Sequence, residues 1–136
     1  MDTITPAQIS ANMQRIKGKD TSPEVAVRRL IRSLGFGYRL HGKGLPGKPD
    51  LIFKGRRKVI FIHGCFWHQH SGCKISHIPK SNLEYWIPKL QKTQIRDTKN
   101  RQELEASGWK VLTIWECEME DINSLKIKIL NFLNGL

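Results

Sequence analysis

Apolar residues along this chain change their period several times, and each change predicts an element. Val27, Leu30, Ile31 and Leu34 keep the i, i+3, i+4, i+7 spacing of one helix face. Ser22 serves as N-cap, Pro23 takes the first helical position, Glu24 the first turn, and Gly35 stops the helix. Residues 36–41 read as a short strand, and HGKGLPGKP as a glycine- and proline-rich loop. DLIF and KVIFIHG are apolar, β-prone runs on either side of the polar turn KGRR, which predicts a hairpin. SNLE at 81–84 has the form of a capping box and opens a long helical region to about residue 107, with Gly108 as its stop. WKVLTIWE is a further buried strand, and residues 122–133 form an apolar-striped terminal helix. The order helix, strands, helix, strand, helix predicts an α/β domain, a mixed sheet flanked by helices.

Residues 1–21 are polar, with little period beyond the short NMQRIK segment. They are expected to form an N-terminal arm ahead of a single domain over 22–136. A chain of 136 residues is long enough for one core and too short for two. The net charge of +11, from 23 Lys and Arg against 12 Asp and Glu, points to a polyanionic partner, above all nucleic acid. The start MDTITPAQIS lacks the basic and apolar regions of a signal peptide, and no apolar run approaches a membrane span. Three cysteines suit a disulfide framework badly, so a reducing cytoplasm is expected, with the thiols free or holding metal.

Against that basic background one acid stands out. Asp50 is the only Asp or Glu between Glu24 and Glu84, and lysines and arginines surround it in sequence. With residues 54–57 as the turn, 53 faces 58 and 50 faces 61. Strand alternation then puts Asp50, Phe61 and His63 on one face, with the Ile62 carbonyl nearby. A few oxygen ligands that leave room for water and phosphate suit Mg²⁺.

The segment HGCFWHQHSGC crowds three histidines, two cysteines and a Phe-Trp pair into residues 63–73. Cys65, His70 and Cys73, joined by Cys117 after the last strand, make a Cys3His set of the kind that holds structural zinc. His68 reaches as well as His70. If His70 takes the zinc, His68 is left free as a general base, and Glu24 is a candidate to orient it.

Taken together, the NM and DTSPE segments near the start, LPGKPD, VIFIHGCFWHQHSGC, YW, RD and GWKVLTIWEC resemble the very short patch repair (Vsr) mismatch endonucleases of bacteria. The resemblance runs from about Asn12 to Cys117. It implies a restriction-endonuclease-like fold and a Mg²⁺-dependent nickase acting 5′ of the thymine in T:G mismatches left by 5-methylcytosine deamination. On the matching positions it implies Asp50 and the Ile62 carbonyl as ligands of Mg²⁺, two ions in all. His68 would be the base, with Glu24 as its supporting carboxylate. His63 and Asp97 would steady the leaving group through metal-bound water. Cys65, His70, Cys73 and Cys117 would bind zinc. Phe66, Trp67 and Trp86 would be an aromatic wedge exposed beside the mismatch, and Met13 and Ile16 of the arm would contact the minor groove. Phe61 and His63 stand where the wider fold often has an acid and a lysine, and Thr93 stands where Asn is expected.

Two other readings use the same residues: a zinc-stabilised DNA-binding domain without catalysis, and a nuclease of this fold acting on another DNA structure. A zinc deaminase or zinc protease finds no support, since the H-x-E/P-C-x-x-C and H-E-x-x-H patterns are absent. A bacterial, nucleoid-associated monomer is expected, since one asymmetric mismatch needs no two-fold protein.

Overall fold

The computed structural model describes residues 21–42, 44–73 and 80–135. Met13 and Ile16 therefore lie outside the described residues, as does the expected arm up to residue 20.

Helix α1 runs Ser22–Ser33, one residue displaced from the sequence expectation. Its N-cap is Thr21, not Ser22, because the Thr21 hydroxyl accepts from Glu24 N while the Glu24 carboxylate accepts from Thr21 N, both at 3.4 Å. Two orphan amides are satisfied at once, which a Ser22 cap would not have achieved with Glu24. The helix buries Val27 and Ile31.

The expected strand at 36–41 contracts to β1, Arg39–Leu40. His41, with φ of 50°, turns the chain out of extended geometry there. Strand β2, Leu51–Phe53, then pairs antiparallel with β3, Lys58–His63. Phe53 faces Lys58 and Leu51 faces Ile60, the register inferred from the turn position. The turn itself is a short 3-10 segment closed by Arg57 in the left-handed region.

Helix α2, Leu83–Ala106, carries the chain to β4, Lys110–Trp115, which lies parallel to β3 with His63 opposite Trp115. The SNLE capping box does not form. The helix starts a residue later than that motif requires, Asn82 is left-handed with no side-chain cap hydrogen bond, and the buried Ser81 hydroxyl has no hydrogen-bond partner among the described residues. Helix α3, Ile122–Asn134, completes the chain behind a 3-10 turn at Glu116–Glu120.

The sheet order is β1-β2-β3-β4, with one parallel pair in an otherwise antiparallel set. Alternation along β3 divides the core. Ile60 and Ile62 pack with Val27 and Ile31 of α1 and Leu125, Ile129 and Leu133 of α3. Val59 and Phe61 face the other way, toward Leu104 of α2. Lys58 Nζ clasps the end of α3 by donating to the carbonyls of Phe132, Leu133 and Gly135 at 2.6–3.2 Å. The outer edge of β4 is closed by side chains, with Arg101 on the Val111 carbonyl, Lys128 on that of Thr113, and Glu118 on the Trp115 amide. An edge so occupied does not invite a further strand. Among the described residues, no helix is long and apolar enough to cross a membrane.

Candidate active site

Strands β3 and β4 both end at one cleft of about 1680 Å³. The β2–β3 hairpin gives its floor, His41, Leu45, Gly47 and Lys48 stand with α2 on its sides, and residues of the 63–71 segment close one end. Lys48, Arg96 and Arg101 line it, so a phosphate backbone would meet positive charge.

Asp50 sits one residue before β2, where the hairpin ladder ends. Its Oδ2 accepts from Ile62 N at 2.7 Å. Continuing the register puts Pro49 opposite Ile62, and a proline has no N–H to offer the Ile62 carbonyl. The NH and CO of one strand residue project to the same side, so that carbonyl is directed where the carboxylate is. Burial pushes Asp50 up to about 6, against the pull of the Ile62 amide, and the negative charge of Glu24 adds to the rise. A carboxylate that its surroundings hold this uncomfortably is one a cation would relieve. Glu24 is itself buried, and it binds Arg28 at 3.3 Å besides capping α1.

Two imidazoles stack beyond the carboxylate. The rings of His63 and His68 are parallel to within 6°, with centroids 3.7 Å apart. Burial, then the neighbouring His68, lowers His63 to about 4, so it is neutral at physiological pH. His68 Nδ1 meets Asp97 Oδ2 at 2.5 Å. The carboxylate on His68 is thus Asp97, contributed by α2, where the sequence reading had proposed Glu24. A carboxylate only accepts, so Nδ1 carries a proton, and in the neutral ring Nε2 then presents a lone pair.

Cys65, His70, Cys73 and Cys117 converge so that one donor atom of each lies within 4.8 Å of the others. His70 Nδ1 is 3.4 Å from Cys117 Sγ and 3.7 Å from Cys65 Sγ, which selects His70 rather than His68 as the fourth member. The loop is wound tightly to achieve this. His70 N donates to Cys65 O, Gln69 adopts φ of 48°, and Glu116 accepts from Cys65 N at 2.8 Å. Burial pushes the Cys65 thiol up to about 12, so it would ionise only with a cation present. Three sulfurs and one imidazole nitrogen in a closed cluster fit tetrahedral zinc.

The aromatics expected as an exposed wedge are folded on one another. Phe66, Trp67 and Trp86 have centroids 5.2–5.7 Å apart, and Trp86 is only 8% exposed. Phe66 and Trp67 are half-buried and line the cleft. The Thr93 hydroxyl donates back to the Lys89 carbonyl. Trp115 and Glu116 escaped the sequence reading, although alternation around the buried Ile114 would have put Trp115 on the face of His63.

With this geometry established, comparison with known proteins decides the family. The profile described as "DNA mismatch endonuclease Vsr" matches residues 1–74. The type II nicking enzyme V.XorIIP of Xanthomonas oryzae pv. oryzae is 45% identical over 133 residues, covering 98% of this chain and 97% of that one. The chain belongs to the Vsr family of DNA endonucleases. Another Vsr-family relative, the nicking enzyme V.NmeAIP of Neisseria meningitidis, is 46% identical, covering 88% of this chain and 85% of its own. The DNA mismatch endonuclease Vsr of Escherichia coli is 37% identical, covering 87% and 75%. In structure, the catalytic domain of the homing endonuclease I-Bth0305I superposes with a TM-score of 0.57 at 24% identity, covering 83% of this chain and 94% of that domain. The mixed sheet with flanking helices is thus a Vsr-family nuclease fold.

Proposed function

We propose that this Vsr-family endonuclease nicks one strand of duplex DNA 5′ of the thymine in a T:G mismatch, in a Mg²⁺-dependent hydrolysis that opens very short patch repair. The observation that carries the reading is the His68–Asp97 pair in the same cleft as the Asp50 carboxylate and the strand-end carbonyl of Ile62. A binding module has no need of an oriented base beside a buried acid.

His68 Nε2 takes a proton from water as its oxygen attacks phosphorus, and the bond from phosphorus to the departing sugar oxygen breaks as that oxygen takes a proton from a second water. Asp97 keeps the imidazole in the tautomer that accepts and stabilises it once charged. His63, neutral and stacked on His68, holds that ring against rotation and offers a polar edge toward the leaving oxygen. Asp50 and the Ile62 carbonyl would hold Mg²⁺, up to two ions, which when bound supply positive charge to the phosphate. Cys65, His70, Cys73 and Cys117 would hold zinc and so fix the loop that bears His68. Phe66, Trp67 and Trp86 would open from their mutual contact and enter the base stack, which costs less at a mismatched step. Met13 and Ile16 are proposed as minor-groove contacts. The protein is proposed to act as a monomer in the bacterial cytoplasm, at the nucleoid.

The test is a nicking assay with each strand labelled, T:G against C:G duplexes in randomised flanks, with Mg²⁺ and with Asp50→Ala as control. A nick confined to the thymine strand of the mismatch and lost in Asp50→Ala is expected. Cleavage of matched duplex at the same rate would move the reading to another DNA structure. Binding without a cut in any context would leave a DNA-binding relative.

A further inference from the structure

Trp115 has no part in the chemistry above, yet it touches both halves of the site. On one side the His70 ring lies parallel to it, at 8° and 4.2 Å between centroids. On the other side His63 meets it steeply, at 76° and 5.3 Å. His63 then stacks on His68, and His68 is hydrogen-bonded to Asp97. The result is one continuous column, His70–Trp115–His63–His68–Asp97, running from the cysteine cluster to the base.

Both ends of the column are anchored. His70 is held among the thiols, and Asp97 is carried by α2. The middle is anchored too, because Trp115 stands opposite His63 in the parallel β3–β4 register and its amide donates to Glu118. Among the described residues, the indole's ring neighbours are imidazoles, with the His68 centroid at 6.5 Å, and it is half-buried at the cleft wall. A tryptophan kept only for core volume would sit among aliphatic side chains, as Ile114 beside it does.

We propose that Trp115 is a positioning residue, which transmits the rigidity of the zinc-bound His70 ring to the His63–His68 pair. The proposal rests on the nicking and zinc readings given above. Flat rings resist sliding less than they resist separation, so a neighbour on every side is needed to hold an imidazole in register. Without the indole, His63 loses the wall at its ring edge, and the base stacked on it is free to drift from its line of attack. A displacement of about 1 Å in such a group costs up to about a hundredfold in rate.

The experiment uses the full chain loaded with zinc. Trp115→Leu, Trp115→Phe and wild type are compared by zinc content, duplex affinity, single-turnover nicking of a T:G duplex and the carbon-bound ring-proton resonance of His63. In Trp115→Leu we expect one zinc per chain, unchanged affinity, a shifted His63 signal and a rate lower by about ten- to a hundredfold. Trp115→Phe should restore most of the rate, because a ring face is restored. A wild-type rate and an unshifted His63 signal in Trp115→Leu overturn the proposal. So does loss of rate together with zinc that Trp115→Phe fails to rescue, since that describes a purely structural residue. Should Trp115→Leu not fold, His70→Cys carries the test: four thiolates still bind zinc, and only the ring lying on Trp115 is gone. An unmoved His63 signal in zinc-loaded His70→Cys sinks the coupling. If wild type cuts no mismatch, the nicking reading fails by itself, and the His63 signal still decides the role of Trp115.

Discussion

The two ends of the cleft are built by different means. At the hairpin end, a backbone ladder sets every position: Phe53 opposite Lys58 and Leu51 opposite Ile60 bring Asp50 to Ile62, and the side chains follow. At the loop end, residues 64–73 have no ladder, and side chains set the backbone: a four-donor cluster, a ring stack and the Glu116 carboxylate on the Cys65 amide. Local hydrogen bonding gives the first end its precision without a ligand. The second end reaches comparable order only if something neutralises and gathers its thiols. The base proposed at that end, His68, therefore depends on distant residues, one on β4 and one on α2, in a way that the acid at the hairpin end does not.

The largest effect expected from breaking this arrangement is at the base. His68→Ala should slow single-turnover nicking of a T:G duplex by about a thousandfold while leaving duplex affinity near wild type. Asp97→Asn should cost about a hundredfold, since the ring remains but its tautomer and its charged form lose support. Gel-resolved rates at saturating protein measure both. A His68→Ala protein that cuts at the wild-type rate would move the base elsewhere in the cleft.

That pair also marks the limit of what the sequence disclosed. The hairpin register was legible because alternation and a polar turn leave little choice, and so were the flanking helices, from apolar spacing and glycine stops. Cys65, Cys73 and Cys117, with one histidine of the same loop, were legible from residue type and count. The choice between His68 and His70 was not, because both lie in a loop whose winding turns on left-handed Gln69. Nor was the partner of His68. Asp97 is 29 positions away on α2, and no local period reports how a long helix is laid across a sheet. Glu24, prominent as the acid of a first helical turn, was given that role; locally it satisfies the Thr21 amide and Arg28. The SNLE motif failed for a related reason. Packing of Trp86 and Leu90 against Phe66 and Trp67 fixes where α2 lies, and a cap worth about 1 kcal/mol does not override it.

Next in size is the loop end itself. Cys117→Ala should lower zinc content and destabilise the fold by roughly 3–4 kcal/mol, on the scale of a cross-link closing about 50 residues between Cys65 and Cys117. Metal analysis and a denaturant midpoint check it. Chelation of wild type should produce a similar shift, and Asp50→Ala should leave zinc unchanged. If Cys117→Ala keeps its midpoint, the loop is held by its rings alone, and the contrast between the two ends disappears.

The smallest effect has the opposite sign, and it belongs to the hairpin end. Asp50 in the fold titrates at about 6 instead of 3.8, because burial penalises its charge. Between those values the folded protein keeps a proton that the unfolded chain has released, so raising the pH through this window lowers stability. His63 acts in reverse. It titrates at about 4 in the fold and at 6.5 when unfolded, so in nearly the same window the unfolded chain holds the extra proton and raising the pH increases stability. The two slopes oppose each other in wild type. Asp50→Asn removes the first and leaves the second. In Mg²⁺-free buffer the variant should therefore match wild type near pH 4, pull ahead as the pH rises, and be more stable by about 2 kcal/mol at pH 7. The Asn carbonyl can still accept from the Ile62 amide, so the ladder end is preserved. Groups that titrate alike in both proteins cancel in the difference between their urea midpoints, which is the quantity to measure from pH 4 to 7. Adding Mg²⁺ should raise the wild-type midpoint and not that of Asp50→Asn. Parallel curves would mean that the fold bears no cost for keeping a charged carboxylate where the hairpin opens onto the cleft.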